Sequence, residues 1–294
     1  NYLIRTQKKE CLVEIYGGFG NQLFQLSFSR YLEDNNLDVL VNTRDFKRVE
    51  RENADHLTAR KLVLPIEYFQ FKEIGGIKHS QYKLRRILRK YGFLSKLSSN
   101  NKNFDLINDR NFSFETLKNK NYMIGHWQEI RFAQENRMFL IESICKNPLL
   151  QEAFQAKVND QNTLVHVRRS DYLKFNEDLP LYYYEKSMEY VKNKDKKFNF
   201  KIYTDDSTWC KKQRIFLNAE EILTSSDSPE DTIDTFGSMI KSKNFIIANS
   251  TFSLMAAFLG KKDDSIITYP EPWFKYRKYN KNIVDASWKM INLQ

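Results

Sequence analysis

The residues best suited to chemistry follow an apolar run of strand length. The run Thr163–Val167 leads directly into Arg168, Arg169 and Asp171. A guanidinium group donates paired hydrogen bonds to phosphate oxygens, and its fixed charge stabilises a diphosphate most when the diphosphate leaves. We therefore predict that Arg168 binds a diphosphate. The alternative is an Arg–Asp pair that joins strand and loop structurally. Arg169 alternates to the other side of the strand, and it is the better candidate for that role.

A second apolar run, Ile202–Thr204, ends in the adjacent carboxylates Asp205 and Asp206. A carboxylate at a strand end accepts hydrogen bonds from the ring N–H and the exocyclic amine of guanine, so the pair favours a guanine nucleotide. The alternative is that one of the two caps the helix that follows. A cation site is not favoured, because no further acid or histidine clusters nearby in the sequence.

A glycine-rich turn lies between the apolar run Val13–Tyr16 and a helical pattern. It reads Gly17-Gly18-Phe19-Gly20-Asn21-Gln22. Glycines let the backbone approach a ligand, the helix start offers unpaired N–H groups to an anion, and the amides of Asn21 and Gln22 favour a sugar or phosphate. The spacing is not that of a dinucleotide fingerprint or a phosphate-binding loop, so a plain tight turn remains the alternative.

A fourth polar turn, Asn249–Ser253, separates the apolar run Phe245–Ala248 from the apolar helix pattern Leu254–Leu259. In a structural account, Ser250 or Thr251 caps the helix. In a functional account, the hydroxyls and N–H groups at the helix start bind phosphate. The two accounts are compatible.

These turns belong to a chain in which apolar runs alternate with helical patterns, which predicts an α/β fold with parallel strands. The carboxyl ends of such strands line the ligand crevice, so we expect the four turns to converge. The strand candidates are Val13–Tyr16, Val39–Asn42, Met123–Gly125, Leu164–Val167, Lys201–Thr204, Ile222–Thr224, Phe245–Ala248 and Ile266–Tyr269. The polar stretch Ser98–Asn111 is predicted to be a surface loop, and a domain boundary is predicted between Asn147 and Asn162.

Composition excludes several classes of protein. The 294 residues are 41% apolar and 14% aromatic, which is typical of a packed globular chain of two domains. No apolar run approaches the roughly 20 residues of a membrane span, and residues 1–10 carry no signal-peptide pattern, so we expect a cytoplasmic protein. Three cysteines and four histidines show neither disulfide nor zinc-ligand spacing.

The net charge of +10 is concentrated in one segment. Seven lysines and arginines lie between Lys78 and Lys96 with no acid among them, and apolar residues recur there at helical spacing. Such a basic amphipathic helix favours peripheral contact of residues 78–97 with an anionic membrane. The alternative is a surface helix that docks on its own domain. A module that binds nucleic acid or membrane without catalysis is disfavoured, because it leaves the four polar turns unexplained.

Taken in order, the turns resemble those of the bacterial alpha-1,2-fucosyltransferases, and more distantly those of protein O-fucosyltransferases and alpha-1,6-fucosyltransferases. The matching blocks are Gly17–Gln25, His166–Tyr172, Tyr203–Asp206 and Ile246–Ser253, with Tyr269–Phe274 near the end. Each block alone is weakly specific, whereas four in the expected order are specific.

The resemblance implies a GT-B architecture, in which two Rossmann-like domains face each other across a cleft. We expect an acceptor-side domain at 1–155 and a GDP-fucose-binding domain at 156–274, with the segment from about 275 to 294 packing back on the first. The implied reaction is inverting transfer of L-fucose from GDP-fucose to the 2-hydroxyl of a galactose in a surface glycan, without a metal or other cofactor. GDP-fucose and a galactose-terminated oligosaccharide are the implied partners, and nucleic acid is not.

Carried over position by position, the resemblance places Arg168 on the donor diphosphate and Asp171 near the reacting centre, and these are the two candidate catalytic residues. Asp171 is the nearest candidate for a general base, and the alternative is that the leaving phosphate or water takes the proton. His166 is implied near the nucleotide. The remaining donor-binding residues are Gly18, Gly20, Asn21, Gln22, Arg169, Tyr172, Asp205, Asp206, Asn249, Ser250, Thr251, Phe252 and Ser253. The rival within enzymes is a glycosyltransferase that uses another sugar nucleotide or another hydroxyl. Acceptor choice is expected to lie in loops such as Asp45–Arg60.

Overall fold

A computed structural model describes residues 8–44, 46, 60–75, 106–107, 121–156, 161–224, 226 and 228–294. The predicted α/β class is confirmed, with one parallel sheet in each half of the chain, as in the two Rossmann-like domains of a GT-B protein. The basic segment 78–97 and most of the acceptor-loop segment 45–60 lie outside the described residues.

The first sheet has the strand order β3-β2-β1-β5-β4, and all its pairs are parallel. Its strands are β1 Lys9–Glu14, β2 Leu37–Asn42, β3 Lys72–Glu73, β4 Leu106–Ile107 and β5 Tyr122–Met123. Helix α1, Phe19–Asp34, connects β1 to β2 and is buried over most of its length. It packs between its own sheet and helices from both halves, so the glycine turn at its start is held on several sides.

The second sheet has the strand order β11-β10-β9-β6-β7-β8, again with parallel pairs. Its strands are β6 Thr163–Val167, β7 Phe200–Thr204, β8 Glu221–Thr224, β9 Asn244–Ile246, β10 Ile267–Glu271 and β11 Lys289–Asn292. The further helices of the described chain are α2 Ile130–Glu135, α3 Arg137–Ile144, α4 Pro148–Gln155, α5 Ser170–Lys174, α6 Leu181–Lys194, α7 Ser207–Cys210, α8 Pro229–Ile240 and α9 Thr251–Gly260.

All eight predicted strands overlap observed ones, and three observed strands were not predicted. β3 is two exposed residues, and β11 buries only Ile291, so neither carries an apolar pattern. The loop prediction for Ser98–Asn111 is wrong at Leu106–Ile107, which pair with β5 as a short strand. The rest of that stretch lies outside the described residues.

One apolar cluster runs through both halves of the chain. It includes Phe28 and Leu140 from the first half and Phe236 and Leu254 from the second, all fully buried. The apolar helix α9 lies at its centre, in contact with α1 and α8. The two sheets are therefore joined by shared hydrophobic burial, which limits how freely one half moves against the other.

The segment around the predicted domain boundary contains a capped helix. The Asn147 side chain accepts hydrogen bonds from the N–H groups of Leu149 and Leu150, and Pro148 occupies the first helical position of α4. Near the other end of the chain, β11 pairs with β10 in the second sheet, while the Asp285 carboxylate accepts a hydrogen bond from Gln134 of α2. The domain limits themselves remain a prediction.

Within the described residues, no helix combines the length and apolar character needed to cross a bilayer.

Gly20 of the first half packs against backbone of the second half, and its replacement by alanine tests the importance of that contact. A Cβ atom built on Gly20 would lie 2.3 Å from the carbonyl carbon of Thr251 and 2.6 Å from the amide nitrogen of Phe252. Alanine gains about 1 kcal/mol in helix propensity, but overpacking costs roughly 1–3 kcal/mol or more against rigid backbone. Gly20→Ala is expected to lower the melting temperature by several degrees in calorimetry. Gly18→Ala is the control, because nothing lies within 4 Å of its Cβ position; equal melting temperatures for both variants would contradict the prediction.

Candidate active site

Three of the four predicted turns meet at the carboxyl edge of the second sheet. Strand β6 lies between β9 and β7, with His166 opposite Tyr203 and Val167 opposite Thr204 in the register. The residues that follow these strands therefore emerge side by side, as expected for parallel strands. The fourth turn, at the start of α1, reaches the same place from the first half through the contact between Gly20 and Thr251.

The Asp205 carboxylate connects the ends of β7 and β6. Its Oδ1 accepts the N–H of Arg169 at 2.8 Å, and its Oδ2 accepts the N–H of Ser170 at 3.2 Å. Backbone N–H groups at the start of a helix have no partner within the helix. Asp205, which follows β7, therefore satisfies the first donors of α5, the helix that follows the neighbouring strand β6. Its Oδ2 also lies 3.1 Å from Nη1 of Arg168. Asp205 thus fixes both the backbone and the guanidinium of the segment predicted to bind diphosphate.

Arg168 is held between two carboxylates. Its Nε and Nη2 donate to Oδ1 of Asp171 at 3.0 and 2.8 Å, while Nη1 faces Asp205. The pair Arg168–Asp171 spans one turn of backbone and remains partly accessible to solvent. The two residues predicted to be catalytic are therefore in direct contact, and each fixes the orientation of the other.

Arg169 forms the structural ion pairs predicted for it. Its guanidinium lies 3.2 Å from Oδ2 of Asp206 and 3.4 Å from Oδ2 of Asp178, and it stacks 3.8 Å above the Trp209 ring. The other oxygen of Asp206 accepts the N–H of Trp209 and caps α7. Both carboxylates predicted to select guanine therefore already bind protein donors.

His166 is buried at the end of β6, and its surroundings favour the neutral imidazole. Desolvation, reinforced by the charge of Arg168, lowers the pKa of His166 to about 3. Its Nδ1 has no hydrogen-bond partner among the described residues, and the ring lies 6.4 Å from that of Phe252. A neutral imidazole with a spare nitrogen is suited to a hydrogen bond with a ligand and not to proton transfer near pH 7.

The start of α9 is not capped as the sequence suggested. Ser250 occupies the N-cap position without a side-chain capping bond, and the Thr251 hydroxyl donates across to Oδ1 of Asn21 at 3.0 Å. The prediction of a side-chain cap is therefore wrong, since Ser250 makes no capping bond and the Thr251 hydroxyl is used for a contact with the first half. The Ser253 hydroxyl donates to the Ser250 carbonyl at 3.3 Å. Phe252 packs against Phe236.

The amides of the glycine turn mainly bind protein groups. Asn21 also accepts a hydrogen bond from Gln128 at 2.8 Å. Gln22 is buried, and its amide binds the carbonyls of Gly17 and Lys61 and the N–H of Val63. Gln22 therefore anchors the segment around Lys61 to α1. Gly17 has φ +82°, a conformation that favours glycine, and Gly18 faces open space.

Tyr172 and Asn249 connect the site to a buried acid that sequence reasoning missed. The Tyr172 hydroxyl donates to the Asn249 carbonyl at 2.9 Å, and burial raises the pKa of Tyr172 to about 12, so it remains protonated. The Asn249 side chain donates to the carbonyl of Glu177 at 2.9 Å. Its Oδ1 has no partner among the described residues.

The sequence reasoning also missed His126. It follows β5, and its Cε1 lies 3.7 Å from the Cβ position of Gly17 while its ring packs 4.8 Å from that of Tyr16. The signal was available, since the residue follows a predicted strand as the other polar turns do. His126 extends the site to the carboxyl edge of the first sheet.

Comparison with known proteins assigns the chain to a family. Residues 12–292 match the model of glycosyl transferase family 11. The chain belongs to glycosyl transferase family 11. Two proteins of Escherichia coli are similar over nearly their full length. The O-antigen biosynthesis glycosyltransferase WbnK is 28% identical, and the match covers 94% of this chain and 98% of WbnK. An alpha-1,2-colitosyltransferase is 27% identical, and the match covers 92% of this chain and 94% of that protein.

Among solved structures, the family 11 chain is similar to fucosyltransferase NodZ from Bradyrhizobium, with a TM-score of 0.46 and 12% identity over 86% of this chain and 93% of NodZ. The family match establishes the enzyme as a glycosyltransferase and confirms the resemblance found in the sequence. In the part of the chain that the structure describes, no three acids, histidines or cysteines are grouped as metal ligands.

The charge state of His166 is testable by histidine NMR. The pKa of the imidazole is 6.5 in the unfolded chain and about 3 in the folded one. Between these values the unfolded chain binds the proton and the folded chain does not. The free energy of unfolding therefore falls as pH falls through this window, by up to about 1.4 kcal/mol per pH unit. We expect the His166 imidazole signal, assigned by its loss in His166→Gln, to stay unchanged from about pH 8 to pH 5. A titration midpoint near the ordinary histidine value would contradict the buried, neutral state.

Proposed function

We propose that this family 11 glycosyltransferase transfers L-fucose from GDP-fucose to the 2-hydroxyl of a galactose residue in a surface glycan, with inversion. The observation that carries the proposal is the juxtaposition of Arg168 and Asp171 at the carboxyl edge of the second sheet, beside the start of α1. The place suits a sugar nucleotide, because a guanidinium, helix starts and a carboxylate converge there. The relatives named for O-antigen biosynthesis and for alpha-1,2 transfer support a surface glycan and that linkage.

Arg168 acts on the leaving group in this proposal. Negative charge accumulates on the departing diphosphate as the bond to C1 of the sugar breaks, and a donor that is already oriented needs no reorganisation at that moment. Asp171 and Asp205 provide this orientation through three contacts to the guanidinium. Arg168 therefore contributes more to turnover than to ground-state binding.

Asp171 is the candidate general base, and its position sets a condition on that role. Its Oδ1 accepts both bonds from Arg168, which leaves Oδ2 as the oxygen able to take the acceptor hydroxyl proton. A single carboxylate then links the two halves of the displacement, since it holds the leaving-group arginine and receives the proton. Loss of Asp171 is accordingly expected to lower turnover by two routes.

The proposal includes catalysis without a metal, because guanidinium groups supply the positive charge that a cation would otherwise bring to the diphosphate. Activity is expected to be unchanged by EDTA, and restoration of a lost activity by magnesium or manganese would refute this part. The proposed setting is the cytoplasm, on the inner face of the membrane where a lipid-linked acceptor would be presented.

A colitosyl donor is the second candidate, because the alpha-1,2-colitosyltransferase is nearly as similar as WbnK. Colitose lacks one hydroxyl of fucose. A site built to hydrogen-bond a hydroxyl rejects the analogue without it by roughly 10⁴-fold, whereas an apolar site discriminates weakly. GDP release is therefore to be measured from GDP-fucose, GDP-colitose and GDP-mannose with a beta-galactoside, followed by linkage analysis of the product. Turnover of GDP-fucose below that of GDP-colitose would reassign the donor.

Replacement of Arg168 by lysine tests the leaving-group role. Lysine retains the charge but loses the planar fork, so kcat is expected to fall about 100-fold or more while the KM for donor changes only a few-fold. Steady-state GDP release measures both constants. Arg214→Lys is the matched control. Arg214 follows α7 in the sequence and its side chain is exposed, so the variant should retain full turnover. Near-normal turnover of Arg168→Lys would refute the mechanism.

A further inference from the structure

Arg277 lies beside the candidate site on a loop that none of the sequence motifs includes. Its guanidinium carbon is 4.1 Å from the centre of the Phe274 ring and 5.7 Å from that of Tyr172. The guanidinium carbon of Arg168 is 5.8 Å from the same Tyr172 ring. One aromatic side chain, next in sequence to Asp171, therefore has both guanidinium groups as neighbours. The aromatic contacts fix the position of Arg277 as cation–π interactions.

Glu177 holds the loop that carries Arg277. Its carboxylate is fully buried and accepts the backbone N–H groups of Lys275 at 2.6 Å, Tyr276 at 3.1 Å and Arg277 at 3.2 Å. The Arg277 Nε lies 3.6 Å from the same carboxylate. A buried carboxylate is costly unless it is compensated, and here three backbone donors and one guanidinium compensate it. The acid thus orients the backbone and the side chain of Arg277 together.

The donors of Arg277 are available, in contrast to those of the two arginines after β6. Arg168 and Arg169 each pair with two carboxylates, so four acids face two bases. Arg277 is 47% exposed, and neither of its terminal nitrogens donates a hydrogen bond within the described part of the chain. An anion can therefore bind the Arg277 fork without displacing an acid, whereas at Arg168 it competes with Asp171 and Asp205.

We propose that Arg277 is a second guanidinium of the donor-diphosphate site, and that Glu177 is its positioning residue. The inference rests on the proposed function only in that the donor carries a diphosphate. Arg277 supplies attraction for the anion on arrival, and Arg168 supplies the oriented contact to the leaving oxygen. A sugar nucleotide with two phosphates is thereby favoured over one with a single phosphate.

The test compares GDP, GMP and guanosine as ligands of the full chain in calorimetric titrations. Arg277→Gln is expected to weaken GDP binding about ten- to hundredfold, as for a lost hydrogen bond to a charged group. The affinity for GMP should fall less, and the affinity for guanosine should not change. Arg277→Lys should lie between, because it retains the charge without the fork. Lys281→Gln is the matched control, because it removes an exposed cation from the same C-terminal segment.

Glu177→Gln tests the positioning role. It should weaken GDP binding and leave guanosine binding unchanged, and combining it with Arg277→Gln should add little, because both changes act through one group. Should Glu177→Gln fail to fold, Arg277→Gln and Arg277→Lys still decide the proposal. Unchanged GDP binding in Arg277→Gln, or equal losses for GDP and guanosine, would overturn it.

Failure of the proposed donor has a different signature. If the native chain binds ADP or UDP and not GDP, the guanine assignment fails, and the Arg277 series is then measured with the nucleotide that binds. A selective loss with that diphosphate supports the inference, and an unchanged affinity overturns it. If no nucleoside diphosphate binds the native chain, both proposals fall.

Discussion

The site depends on one carboxylate, that of Asp205, which joins two neighbouring strands at their carboxyl ends. It accepts the N–H groups of Arg169 and Ser170 and faces the guanidinium of Arg168. The first two contacts satisfy the start of α5, and the third orients the arginine that follows β6. Parallel pairing of β6 with β7 makes these contacts possible, because it places residues 37 positions apart in the chain at adjacent strand ends. The order of the strands in the sheet thus determines the orientation of the Arg168 side chain.

A second constraint is the approach of the two halves at Gly20. Backbone of α1 lies against backbone at the start of α9, and the Thr251 hydroxyl donates to Asn21 across the junction. The apolar cluster that spans both halves includes Phe19, next to Gly20, and Leu254 of α9. In the proposed mechanism this junction has a functional value, because groups from the two halves keep their relative geometry only if the junction does not drift.

Apolar patterns predicted the strands that end in the site and the helices α1 and α9, because each pattern is long or regular enough to exceed background. They did not predict α5 and α7, which are short. They also failed for β3 and β11, which are short or mostly exposed. Chemistry was predicted where it lies within one segment, as for Arg168 and Asp171. The role of Glu177 was not predictable, because its partners Lys275, Tyr276 and Arg277 are about 100 residues away in sequence. The Thr251 contact likewise depends on packing between the halves.

The two carboxylates that face Arg168 orient its guanidinium at an electrostatic cost to the binding of an anion. The side chains of Arg168 and Asp171 are 20% and 21% exposed, so water and ions screen the pair only in part. In the proposed mechanism Asp205 orients the guanidinium through its own contact, and Asp171 orients it through Oδ1 while Oδ2 is the oxygen that can take a proton. The electrostatic cost is offset, because a guanidinium that is already oriented needs no reorganisation when charge develops on a leaving diphosphate.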